Sequence, residues 1–209
     1  MPDVQTLEKL FSSIGLRENL RIIAYDDEGG GWAGRLIWTL DVLGHSNYAL
    51  LNGGIIAWRN EGLPISAQSA SPLITEFKAK INRDVIADMN DVLSSINNAD
   101  TVVWDARAPE EFNGTKVTAS KNGHVPEAIS LDWIHMKDLN NNSKLRDLDE
   151  IRSKLDGLGI TNQVKVITHC QTHHRSGLTY FVGKLLGLDI SAYDGSWSEW
   201  GNHPETPVE

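Results

Sequence analysis

Apolar positions along this chain switch between helical and strand spacing, and the order of the switches occurs twice. Leu7, Leu10, Phe11 and Ile14 recur at helical spacing, with Gly15 as a stop. Residues 20–25 form a short apolar run that predicts a strand. Asp26-Asp27-Glu28-Gly29-Gly30-Gly31 is a turn. A helix is predicted over 32–43, ended by Gly44, then a strand over 48–51. Asn52-Gly53-Gly54 turns into a short helix that reaches Trp58.

The second run reads the same way. A helix is predicted over 148–155 and a β-branched strand over 164–168. Leu178, Phe181, Val182, Leu185 and Leu186 keep helical spacing over 176–186, and Gly187 ends them. A strand over 190–193 leads to Asp194-Gly195 and on to Trp200. Asp27 precedes Gly44 by the same interval as Cys170 precedes Gly187, and Gly53 precedes Trp58 as Gly195 precedes Trp200. An internal duplication is therefore expected.

Cys170, the only cysteine, sits between the strand and the helix of the second copy. A turn of this kind aims backbone N–H groups at whatever lies above it, and the helix start favours a thiolate. A nucleophilic sulfur in an anion cradle is the chemistry these residues propose. The first copy has Asp27 at that place and is expected to be inert.

The copies are unequal. Val85-Ile86, residues 101–107 and residues 123–129 supply strand-like segments before the second copy, and nothing comparable precedes the first. The expected organisation is a partial domain over 1–66, a small polar linker over 67–72, and a complete domain over 73–209. A half sheet should leave an unpaired edge and exposed apolar surface.

Composition narrows the function classes. The 209 residues are 40% hydrophobic, enough for a packed core. A net charge of -9 argues against a nucleic-acid partner. One cysteine forms no intramolecular disulfide, and no signal peptide or bilayer-spanning run is visible, so a cytoplasmic protein with a reduced thiol is expected. His173 and His174 lack a second cluster of ligands, so no metal is expected.

Cys170-Gln171-Thr172-His173-His174-Arg175, followed by Tyr193-Asp194-Gly195-Ser196-Trp197-Ser198-Glu199-Trp200, resembles the rhodanese sulfurtransferases. The likeness covers nearly the whole chain, and the loop is most similar to bacterial thiosulfate sulfurtransferases with two tandem domains. It implies an α/β fold, a parallel sheet flanked by helices, here with one complete domain and a partial inactive copy. It also implies that the Cys170 thiolate takes sulfur from thiosulfate as a persulfide and passes it to cyanide, a thiol or a thiol protein. The loop from Gln171 through Thr172, His173, His174 and Arg175 to Ser176 would bind the substrate. No cofactor is needed, and a monomer suffices.

Asp105-Ala106-Arg107-Ala108-Pro109-Glu110-Glu111-Phe112 and Gly123-His124-Val125-Pro126 resemble two further segments of the family, read as structural. Glu127 stands where the family usually has glycine, so a different backbone is expected at that turn. His169, Trp197 and Trp200 read as packing residues, with Trp197 a possible wall of the pocket. Arg175, at a helix start where a cation is disfavoured, is expected either to bind an anionic donor or to pin the loop.

Rival chemistries differ at the loop. Phosphatases of similar fold place five residues between Cys and Arg, whereas four intervene here. Mercaptopyruvate sulfurtransferases usually carry Cys-Gly-Ser-Gly-Val-Thr, from which Gln171, His173 and His174 depart. A regulatory or sulfur-relay module that accepts sulfur from a protein donor is the remaining alternative.

Overall fold

Two parallel sheets, one of five strands and one of two, carry the apolar runs. The computed structural model describes residues 1–209. The N-terminal part comprises α1 (Val4–Ser13), β1 (Ile22–Ala24), α2 (Gly31–Val42), β2 (Tyr48–Leu50) and α3 (Gly54–Asn60). The C-terminal part continues with β3 (Ile86–Ala87), α4 (Met89–Ser95), β4 (Thr101–Asp105), α5 (Pro109–Phe112) and β5 (Ile129–Ser130). A 3-10 turn over Trp133–Met136 precedes the small hairpin β6 (Lys137–Asp138) and β7 (Lys144–Leu145). Then follow α6 (Leu148–Asp156), β8 (Lys165–His169), α7 (Arg175–Leu185), β9 (Asp189–Tyr193) and α8 (Ser196–Trp200).

The large sheet has the order β3-β9-β8-β4-β5, and all its pairs are parallel. β8 lies at its centre and is buried from Val166 to His169, which explains its unbroken apolar and β-branched run. Its carboxyl end opens the loop that carries Cys170. In open parallel sheets, sites form beyond the carboxyl ends of the strands.

Element ends move slightly from their expected places. α1 begins at Val4 because the Asp3 carboxylate accepts from the Thr6 N–H at 2.9 Å and caps the helix. α7 begins one residue early, at Arg175. Glu127 has φ +64°, so it takes the left-handed conformation that glycine adopts freely. A non-glycine residue holds that conformation at a steric cost.

α2 packs on α7, and a single apolar cluster spans both parts. It contains Ala33, Ile37, Trp38 and Val42 of α2 and Leu178, Phe181 and Val182 of α7. Asp41 is buried there, and its Oδ2 accepts from the hydroxyls of Tyr48 (2.8 Å) and Tyr180 (2.7 Å). Residues 67–72 are exposed and form neither helix nor strand. From residue 75 the chain runs back along the N-terminal part. Lys80 N–H donates to Leu43 at 3.0 Å, and Phe77 packs with Leu7 and Phe11.

The two-stranded sheet leaves an apolar groove of about 1000 Å³ lined by Ile23, Leu51, Ile55, Trp58 and Ile65. Leu51, Ile55 and Trp58 stand at the spacing of Tyr193, Trp197 and Trp200. Those residues are buried in the C-terminal part beneath Ala87, Val92, Val103 and Val125. No helix is long and apolar enough to cross a membrane.

Candidate active site

Cys170 has no solvent exposure, yet it belongs to none of the three apolar clusters. It sits where β8 ends and the polar loop begins. Its own N–H donates to Ser196 Oγ at 3.4 Å. Burial under a polar loop differs from burial in the core, because loop dipoles remain to stabilise an anion.

The loop carbonyls are all engaged. Cys170 and Gln171 carbonyls accept from the N–H groups of Trp197 and Ser198, each at 2.9 Å, at the start of α8. Thr172 and His173 carbonyls accept from Arg35 Nη1 at 3.2 and 3.4 Å, and the His174 carbonyl accepts from Gly177 at 3.0 Å. In contrast, the backbone N–H groups of Gln171, Thr172, His173, His174, Arg175 and Ser176 make no hydrogen bond. In a trans peptide the N–H points opposite to the carbonyl. Turning the carbonyls out therefore turns the N–H groups in.

The N-terminal part shows such a turn with an anion in place. Asp26 Oδ1 accepts from Glu28 N–H (3.0 Å) and Gly30 N–H (2.8 Å), and Oδ2 accepts from Ala33 N–H (3.0 Å). Burial raises the Asp26 pKa, but these N–H groups override it and hold the carboxyl below its ordinary value. Asp27, the residue aligned with Cys170, is exposed.

Each side chain of the loop has a definite place. Gln171 is tied to Thr118 by two bonds, of 2.8 and 3.0 Å. Thr172 is exposed. His173 is fully buried with φ +57°, its Nδ1 lies 2.8 Å from Ser176 Oγ, and its ring stands edge-on to Trp38 at 4.5 Å. Burial, aided by Arg35, pushes its pKa well down, so the ring is neutral. The His174 ring packs against Trp32, centroids 4.2 Å apart and tilted by 36°, with Nε2 2.9 Å from Glu28 Oε2. Both histidines thus face the N-terminal part.

Arg175 is held by a partner not singled out in the sequence. Its Nη1 and Nη2 donate to the Glu111 carboxylate at 2.6 and 2.8 Å, a fork-to-fork pair. Burial pushes the Glu111 carboxyl up, and the Arg175 fork more than reverses this, leaving it below the ordinary range. Glu111 had a signal, since it lies in the Asp105–Phe112 segment; Arg35 had none, being 137 residues from its contact.

Beneath the loop, Arg107 donates to Asp105 through Nε (2.9 Å) and Nη2 (2.6 Å), and both residues are fully buried. The Arg107 guanidinium lies 4.2 Å over the Trp197 ring. Trp197 therefore supports the buried ion pair. His169 Nδ1 is 3.2 Å from the Cys170 carbonyl, and burial lowers its pKa.

A rhodanese-like domain matches residues 88–203. The chain belongs to the rhodanese-like family. It is 47% identical over 211 residues to a thiosulfate sulfurtransferase of Pseudomonas aeruginosa, covering all of this chain and 77% of that protein. It is 44% identical over 209 residues to a thiosulfate sulfurtransferase of Azotobacter vinelandii, covering all of this chain and 76% of that protein. Among solved structures it resembles the anaerobic ergothioneine biosynthesis enzyme from Chlorobium limicola in complex with trimethyl histidine. The TM-score is 0.90 at 22% identity, with all of this chain aligned to 55% of that chain. At that identity the likeness speaks for the fold alone.

Proposed function

We propose that this protein is a sulfurtransferase that moves sulfane sulfur from thiosulfate through a persulfide on Cys170. The observation that carries the reading is the ring of six unpaired N–H groups following Cys170, with the loop carbonyls turned outward. Such a ring stabilises an anion on or near the sulfur at every stage of transfer. The names of the two relatives supply the donor.

In the first half-reaction the Cys170 thiolate attacks the outer sulfur of thiosulfate. The Cys–S bond to that sulfur forms, the bond to the sulfonate sulfur breaks, and sulfite leaves with the electron pair. In the second, the carbon of cyanide attacks the terminal sulfur, thiocyanate leaves, and the thiolate returns. A thiol acceptor would follow the same course through its own thiolate. This is covalent catalysis with ping-pong kinetics. The loop from Gln171 to Ser176 binds the donor chiefly through its backbone. Arg175 pins the loop, since its fork is already filled by Glu111. A protein working with a reduced thiol fits the cytoplasm.

In the same reading, the N-terminal part is the back half of an inactive rhodanese-like copy. The repeat register and the open apolar groove of that part support this. The deciding experiment is intact-mass analysis after treatment with thiosulfate. One added sulfur, removed by cyanide with release of thiocyanate, is expected. An unchanged mass, with transfer only from a protein persulfide donor, would instead favour the relay module.

A further inference from the structure

We propose that Arg35, in the copy without a thiol, is a positioning residue for sulfur transfer at Cys170. The proposal rests on the persulfide reading above. α8 secures only the first two carbonyls of the loop, those of Cys170 and Gln171. The next two, of Thr172 and His173, have Arg35 Nη1 as their donor, at 3.2 and 3.4 Å. Peptide planarity then directs the N–H groups of His173 and His174 away from Arg35, into the concave side of the loop.

Three features make this a built clamp. Arg35 Nη2 is ion-paired with Asp194, at the turn leading into α8, so one guanidinium ties both supports of the loop together. Its guanidinium carbon lies 5.0 Å over the Trp38 ring, which makes a T-shaped contact with His173. His173 sits at φ +57°, which a non-glycine residue keeps only where neighbours over-determine it. Releasing the carbonyls would let the peptides on either side of His173 rotate, and two inward N–H groups would be lost.

Pre-steady-state persulfide formation, followed by intact mass, tests this in the full chain with thiosulfate as the probe. Arg35→Ala is expected to slow the step about tenfold or more, the scale of a lost oxyanion donor, with thiosulfate KM changed less than kcat. Added guanidinium is expected to restore part of the rate. Arg35→Lys is expected to stay slow, because a point-like ammonium lacks the two separated nitrogens that reach the loop carbonyls and Asp194 at once. It also keeps the charge if the alanine variant folds poorly. Persulfide formation by either variant at the wild-type rate would overturn the clamp. So would a slow folded variant whose defect lies in KM alone and which guanidinium does not rescue. Wild-type protein that forms no persulfide would instead overturn the functional reading itself.

Discussion

Gly34 of α2 and Gly177 of α7 meet at the crossing of the two helices. A Cβ on Gly34 would lie 2.3 Å from the Gly177 carbonyl oxygen, and one on Gly177 would lie 2.4 Å from the Arg35 nitrogen. Gly34 lies seven residues past Asp27, as Gly177 lies seven past Cys170. Backbone-to-backbone contact here fixes both the distance between the copies and the reach of Arg35. Gly34→Ala is expected to destabilise the protein by about 1–3 kcal/mol through overpacking. It should also slow sulfur transfer, because it lifts Arg35 off the loop. Gly157→Ala is the control, since its Cβ would meet nothing closer than 3.4 Å. Urea unfolding and the thiosulfate–cyanide rate check both.

The Glu111–Arg175 pair predicts a pH dependence. Glu111 is held below its ordinary value of 4.5 in the folded protein. A carboxyl depressed on folding stabilises the fold above its unfolded value and loses that contribution as pH falls through the folded value. Glu111→Gln is therefore expected to cost about 2 kcal/mol at neutral pH, the scale of a hydrogen bond to a charged group. Its urea midpoint should fall less steeply than that of the wild type on acidification below about pH 4.5. Parallel curves for the two proteins would count against the pair as a source of acid sensitivity.

The neighbouring acids of the first copy should behave differently. Asp26 accepts three N–H bonds and closes the turn before α2. Asp26→Ala is expected to lower stability by about 1–2 kcal/mol, as for loss of a helix cap. Asp27 is exposed, and Asp27→Ala should change neither the melting temperature nor the sulfur-transfer rate. Calorimetry on the two variants tells them apart.

The fold was largely legible in the chain because period and punctuation agreed. Residues 164–168 gave a strand within one residue of β8, and Gly44 and Gly187 marked the ends of α2 and α7. The supports of the loop were not legible. Arg35 meets Thr172 and His173 only because a glycine crossing brings two distant helices together, and no local pattern encodes such a contact. For the same reason His173 and His174 read as pocket residues, while their rings pack on Trp38 and Trp32. The burial of Cys170 was also illegible, since its polar neighbours in sequence carry no sign of it.

That burial predicts how Cys170 meets reagents. Sulfur with no exposed surface reacts only through a narrow approach or a brief opening of the loop. Two bonds from Gln171 to Thr118, the Arg175–Glu111 pair and the Arg35 clamp all oppose such an opening. Small reagents such as iodoacetamide should modify Cys170 faster than bulky maleimides by a wider margin than they do a free thiol. Glu111→Gln should narrow that margin by loosening the loop. Cys170→Ser should accept no sulfur from thiosulfate and keep its stability within about 1 kcal/mol, because the change removes no core packing. Transfer by the serine variant would sink the persulfide scheme, and equal size discrimination at Cys170 and at a free thiol would mean that the loop stands open in solution.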